Sequence, residues 1–328
     1  MTRQAFITGS GVELPANVIT NEDLAERLNI APAQVFKSTG IHCRHWADEQ
    51  TCTSQLAIRA LRVAVANASL KVADVDYLIV GTMTPDRFVP GTASAIQKCA
   101  GLREIPALDI RAACCNGLYA LQLATALIKS GVARNVAICL AEIQSRYLDL
   151  SPESAHVSML FGDGAAALIV SEEPNAGALA VMDVLLATDG SYVDDLGLRS
   201  PGTAFPEECR ANYFPRMNGQ SVILHASRRM VAASRTLLDR NQLCAEDLRW
   251  IVPHQANANL LQQVARGIAA SNAEVVSVIE TCGNTSSASM GIALDSLRSS
   301  ESVKPGDWLL LPAFAAGFTW GAGLCRAV

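Results

Sequence analysis

The sequence predicts an α/β protein made of two copies of one unit, and three observations carry that expectation. Short, continuous apolar runs bounded by polar or glycine residues read as strands buried on both faces: Tyr77-Leu78-Ile79-Val80, Val136-Ala137-Ile138-Cys139-Leu140, Trp250-Ile251-Val252 and Trp308-Leu309-Leu310-Leu311. Ala- and Leu-rich stretches at helical spacing lie between them, at 119–129, 224–238 and 260–268, so strand and helix alternate. The third observation is an internal echo at an offset of about 172 residues, far longer than a solenoid period. Asp74-Val75-Asp76-Tyr77-Leu78-Ile79 is answered by Asp247-Leu248-Arg249-Trp250-Ile251-Val252, and Gly131 with the strand from Val136 by Gly306 with the strand from Trp308.

These observations divide the chain into halves, 1–172 and 178–328. The linker is expected at Ser171-Glu172-Glu173-Pro174-Asn175-Ala176-Gly177, where turn formers and charge interrupt the apolar pattern. Residues 197–218, rich in Pro, Gly, Arg and Phe, read as a long loop on the second half.

With 50% hydrophobic and 17% charged residues among 328, the chain can bury a large core. A net charge of -5 and the lack of a basic block interleaved with aromatics argue against a nucleic-acid partner. The apolar run near Phe6 meets Gly9 at once, too short for a secretion signal or a membrane span, so cytoplasm is expected and a membrane partner is not. Ten cysteines without a C-x-x-C pair predict reduced thiols, with neither a disulfide framework nor a metal site.

Three segments carry chemistry. In Leu108-Asp109-Ile110-Arg111-Ala112-Ala113-Cys114-Cys115-Asn116-Gly117 a short strand meets small residues and then a helix, which puts a cysteine at a helix N-terminus. Free N–H groups there favour thiolate, the form that attacks a thioester; the plainer reading is a buried pair of thiols. His254, in Pro253-His254-Gln255-Ala256-Asn257, directly follows a buried strand, where side chains of open sheets reach a crevice. A structural histidine is its plainer reading. Asn284, in Thr281-Cys282-Gly283-Asn284-Thr285-Ser286-Ser287-Ala288-Ser289, falls in the second half near where Cys114 falls in the first, though a helix N-cap would explain it equally well.

Taken together, a cysteine, then His-Gln-Ala-Asn, then Gly-Asn-Thr-Ser resembles β-ketoacyl-ACP synthase III. The resemblance extends from Thr20-Asn21-Glu22-Asp23-Leu24 through Phe161-Gly162-Asp163-Gly164-Ala165 to Ala313-Phe314-Ala315-Ala316-Gly317. It implies a thiolase-like duplicated αβαβα five-layer sandwich, usually a homodimer, working in fatty acid biosynthesis with acyl-CoA or acyl-carrier-protein thioesters and no cofactor. It further implies that Cys114 takes the acyl group and that His254 and Asn284 bind the thioester carbonyl of a malonyl donor. Backbone N–H groups of Cys114 and Ala316 would form an oxyanion hole, and Asn257, Gly219 and Phe314 would bind substrate. The family's Cys-small-Gly-Phe pattern fits Cys115 as well, but counting from Asp109 forward and from Tyr119-Ala120-Leu121 backward both give Cys114.

Departures from the family pattern cluster at the donor-binding groups. Gln34 and Ser38 stand where a Trp and an Arg commonly hold adenine, Glu153 and Asn259 where arginines are expected, and Ala315-Ala316 where glycines are usual. Such changes bring forward an O- or N-acyltransferase of secondary metabolism, using the same acyl-cysteine without decarboxylation, as the alternative to condensation. A silent partner subunit is a third reading, opposed by the intact triad. Thiolase proper is disfavoured because Cys325 lacks that enzyme's Gly-rich context, and Cys282 is expected as a neutral thiol lining the pocket. Phe161-Gly162-Asp163-Gly164 is expected to be a structural turn, Trp46, Trp250, Trp308 and Trp320 core, and Arg228 and Arg229 a solvated helix face.

Overall fold

The echoing runs become ten strands of one sheet in the computed structural model, which describes residues 3–200, 202–204 and 213–328. In chain order they are β1 (Phe6–Glu13), β2 (Tyr77–Gly81), β3 (Ala107–Ile110), β4 (Asn135–Glu142), β5 (Gly164–Ser171), β6 (Leu179–Thr188), β7 (Leu248–Ile251), β8 (Glu274–Val275), β9 (Trp308–Ala315) and β10 (Thr319–Ala327). Their spatial order is β8-β7-β9-β10-β6-β1-β5-β4-β2-β3. Read outward from the central β6–β1 seam, the two halves have the same order and the same pattern, two antiparallel pairings followed by two parallel ones. The seam itself is short: Phe6 pairs with Ala180 and Ile7 with Leu179, and Val181 N–H donates to the Ala5 carbonyl at 2.8 Å.

Six helices complete the layers: α1 (Thr53–Asn67), α2 (Thr92–Ala100), α3 (Asn116–Lys129), α4 (Gly219–Arg240), α5 (Ala258–Ile268) and α6 (Ser289–Ser299). Helices α1 and α2 cover the outer face of the first half-sheet, α4 and α5 that of the second, and α3 and α6 lie between the half-sheets. The result is the five-layer sandwich expected. Close packing is built into β1, where a Cβ on Gly9 would collide with the backbone of Ala64 in α1. The central cluster takes Leu118, Leu121, Met290 and Leu294 from α3 and α6 with Ile138, Leu168, Leu309 and Leu311 from the sheets. Leu118, Ile138, Leu309 and Leu311 are fully buried, each contributing about 1.5–3 kcal/mol of transfer free energy.

Residues between β5 and β6 form a turn. At the two ends of the 197–218 stretch, Leu196–Gly197 and Arg216–Met217 pair as a two-stranded ribbon; Pro201 and residues 205–212, including Cys209, lie outside the described residues. Trp46, Trp250, Trp308 and Trp320 pack with apolar clusters. The solvated-face reading of Arg229 is corrected. Its guanidinium pairs with Asp189 at 2.7 Å and lies 4.1 Å from the Trp320 ring centroid, because α4 turns that position onto β10; Arg228 is exposed.

Candidate active site

Four segments converge on one cavity of about 410 Å³. Cys114 comes from a single 3-10 turn, Ala113–Cys115, between β3 and α3, and Ala113 has φ 48°. That left-handed residue turns the chain so that Cys114 lines the cavity while Cys115 points into the core, its thiol 3.5 Å from the Thr319 carbonyl. His254 follows β7 and is held by its own N–H, which donates to the Pro312 carbonyl of β9 at 2.9 Å. Asn284 crosses between the halves: its N–H donates to the Leu160 carbonyl at 2.8 Å and its carbonyl accepts from Gly162 N–H at 3.1 Å. The glycine is needed there, since a Cβ on Gly162 would run into the Cys282 carbonyl. Ala316, in the β9–β10 turn, also lines the cavity and keeps a negative φ, so alanine fits where the family has glycine.

Polar groups fix how these side chains are presented. Asn284 Oδ1 accepts from Ser286 N–H at 2.9 Å, and among the described residues no hydrogen bond engages the Nδ2 end of the amide. Ser286 Oγ lies 3.5 Å from Cys114 Sγ. Burial pushes the Cys114 thiol up to about 11, against the Ser286 hydroxyl, which lowers it; Glu142 adds like-charge repulsion. That burial opposes the thiolate preference expected of a cysteine at a helix N-terminus. Burial also holds His254 down at about 4, so the imidazole is neutral at physiological pH.

Sequence reasoning missed Glu142, the fully buried last residue of β4. Its carboxyl accepts from Thr84 Oγ1 at 2.9 Å, from Met83 N–H at 3.1 Å and from Gln144 Nε2 at 3.3 Å, anchoring three residues of the cavity wall. Burial raises it to about 7 in spite of these bonds. Nothing in an apolar strand ending in one glutamate signals this, since Met83 and Thr84 lie in another segment. Asp163 in the Gly-Asp-Gly turn is structural as expected, accepting from Ala47 N–H at 2.8 Å and Ser145 Oγ at 2.6 Å. Cys282, expected to line the pocket, is buried in the central cluster and outside the cavity lining.

Gly219 and Phe314 line the cavity, and so does Asn257, but both ends of the Asn257 amide are engaged. Its Oδ1 caps α5 through Asn259 N–H at 2.9 Å, and its Nδ2 donates to the Ser38 carbonyl at 2.9 Å. Asn259 Nδ2 reaches the same carbonyl at 3.0 Å. Residues that replace the family's cationic groups therefore stitch α5 to the end of the helix Pro32–Thr39. Among the described residues no three His, Cys, Asp or Glu side chains gather as for a metal ion, and no helix is long and apolar enough to cross a membrane.

Known proteins share this layout. The family profile described as 3-oxoacyl-[acyl-carrier-protein (ACP)] synthase III matches residues 108–190, and that of its C-terminal part matches 238–327. The β-ketoacyl-[acyl-carrier-protein] synthase III of Rhodospirillum rubrum is 39% identical, covering 98% of this chain and 99% of that protein. The chain belongs to the 3-oxoacyl-ACP synthase III family. Solved synthase III structures agree. Those from Aquifex aeolicus (32% identity, 98% of this chain and 99% of that one) and Pseudomonas aeruginosa (33%, 99% and 98%) both superpose with a TM-score of 0.89. This synthase III is a thiolase-fold transferase, a ketoacyl synthase that condenses acyl thioesters in fatty acid biosynthesis. Transfer without decarboxylation, suggested by the altered donor groups, is not favoured over condensation by these relatives.

Proposed function

We propose that Cys114 is the nucleophile, that His254 and Asn284 are the two side-chain donors of the condensation step, and that the backbone N–H groups of Cys114 and Ala316 form the oxyanion hole. Cys114 sulfur attacks the acyl thioester carbonyl, the tetrahedral oxyanion collapses, and the thiol proton leaves with the departing carrier thiol. A malonyl thioester then binds with its carbonyl oxygen toward His254 and Asn284. Its carboxylate leaves as carbon dioxide, and the electron pair forms an enolate held by those donors. Attack of the enolate carbon on acyl-Cys114 forms the new C–C bond and expels the Cys114 thiolate.

What supports the reading is the convergence of Cys114, His254, Asn284 and Ala316 on one cavity from which Cys115 is turned away. Neutral His254 suits a donor to a developing negative charge. Asn257, Gly219 and Phe314 line the channel along which the thioester arm runs in this proposal. Acyl-CoA or acyl carrier protein supplies that arm, no cofactor takes part, and the enzyme acts as a cytoplasmic homodimer. The halves 1–172 and 178–328 act as units that bring the nucleophile and the donors respectively.

A single-turnover reaction with a panel of acyl-CoA and acyl-carrier thioesters, read by intact-protein mass and peptide mapping, tests it. Acyl mass is expected on Cys114, followed on adding malonyl thioester by loss of that mass and release of carbon dioxide. Acyl mass confined to Cys115 overturns the assignment.

A further inference from the structure

We propose that Ser289, the first residue of α6, is the positioning residue that holds His254 in the tautomer carrying its proton on Nε2, and so makes it a donor into the cavity. The inference rests on the roles proposed above for His254, but its geometry stands apart from them. Ser289 Oγ lies 2.6 Å from His254 Nδ1 and 3.2 Å from the N–H of Gln255. A backbone N–H can only donate, so one oxygen lone pair of Ser289 is already taken by Gln255. The hydroxyl keeps a single hydrogen, and among the described residues His254 Nδ1 is the acceptor within its reach. Ser289 is 1% exposed and His254 4%, so a hydroxyl hydrogen aimed elsewhere would be buried without a partner. Donation from Ser289 to Nδ1 makes Nδ1 the unprotonated nitrogen and puts the ring proton of the neutral imidazole on Nε2.

The opposite tautomer would present a lone pair to the cavity. Beside a thioester oxygen gathering negative charge, that lone pair would repel where a proton should attract. No other protein group bonds Nε2 among the described residues, while His254 lines the cavity, so the donor is free for substrate. The arrangement also links the two partners of the nucleophile. Asn284 and Ser289 sit on one short path of chain, through Ser286–Ala288, so the segment that aims the amide also sets the imidazole proton.

The test uses the full-length enzyme labelled with 15N-histidine. His254 is assigned by comparison with His254→Ala. In the resting wild type, Nε2 is expected to show the protonated, pyrrole-type signal and Nδ1 the unprotonated, pyridine-type one. A protonated Nδ1 overturns the proposal, whatever reaction the site performs and whether or not Ser289→Ala folds. The kinetic arm separates the half-reactions in Ser289→Ala. Condensation kcat is expected to fall about 10- to 100-fold, with KM for the malonyl thioester and the rate of Cys114 acylation within about threefold of wild type. Ser289→Thr, which keeps the hydroxyl, is expected to recover most of the loss. Equal loss in both half-reactions, or no loss in condensation, overturns a positioning role. If instead His254→Ala leaves condensation intact while Nε2 is protonated, the proposed role of His254 fails and the tautomer assignment survives.

Discussion

Residues 113–115 and 286–288 each form a single 3-10 turn leading into a central helix, and their first residues, Ala113 and Ser286, adopt φ of 48° and 49°. A left-handed backbone at a non-glycine residue costs about 1 kcal/mol or more, so both halves hold the same strained corner at the same place. What fills the corners differs. The first carries sulfur among small apolar neighbours; the second carries hydroxyls, preceded by Asn284. Two similar seats face one cavity, and in the proposed mechanism one holds the nucleophile and the other a donor.

Removing the sulfur breaks this comparison most directly. Cys114→Ala is expected to lower condensation by at least about 10³-fold and to abolish acyl-enzyme mass, whereas Cys115→Ala stays within about threefold of wild type. The reverse pattern would move the nucleophile to the neighbouring residue. On the other side, His254→Ala and Asn284→Ala are each expected to cost about 10²- to 10³-fold in carbon dioxide release from the malonyl thioester. Acylation of Cys114, followed by intact mass, should fall no more than about tenfold in either. Equal losses in both steps would show that the halves do not divide the labour.

Glu142 is electrostatically linked to both turns: its charge raises the Cys114 thiol of the first, and Ser287 of the second lowers the glutamate's own value. Its folded-state value, raised by burial to about 7, exceeds the unfolded value near 4.5, so the folded protein holds the extra proton between these limits. Its contribution is fully present below pH 4.5 and is lost as pH rises through 7. Relative to Glu142→Gln, the wild type should lose about 3 kcal/mol of unfolding free energy across that window and none above it. His254, depressed to about 4, has the opposite slope between that value and 6.5, but it is common to both proteins and cancels. Denaturant unfolding at several pH values measures the difference, and a flat difference would place Glu142 outside the coupling.

The smallest effect belongs to the contact between the turns. Ser286→Ala removes the hydroxyl 3.5 Å from Cys114 sulfur, which lowers the thiol's pKa. Acylation at neutral pH is expected to slow about fivefold, and its pH profile to move up by about half a unit to one unit. An unshifted profile would mean that the two corners meet without exchanging chemistry.

Much of the site was legible because its residues lie at element boundaries, where side-chain types carry information. A cysteine between a strand and a helix, a histidine directly after a buried strand and an asparagine in a Gly-Asn-Thr-Ser loop announce themselves locally. Glu142 and Ser289 do not. The glutamate closes an apolar strand and the serine looks like one more small residue at a helix start, and each has a partner far along the chain, 58 residues away at Thr84 and 35 at His254. Arg229 misled for the same reason: helix periodicity says that a position is lateral, not that Trp320 and Asp189 wait beside it.

By itself, then, the sequence determined the alternation of strand and helix, the internal echo and the three segments that carry the family resemblance, since hydrophobic periodicity and local turn chemistry are properties of neighbouring residues. Only the tertiary structure decided which cysteine faces the cavity, that burial raises its thiol, and which nitrogen of His254 faces Ser289. These depend on burial and on donors brought from other segments, and both exist only once the two halves have closed on each other.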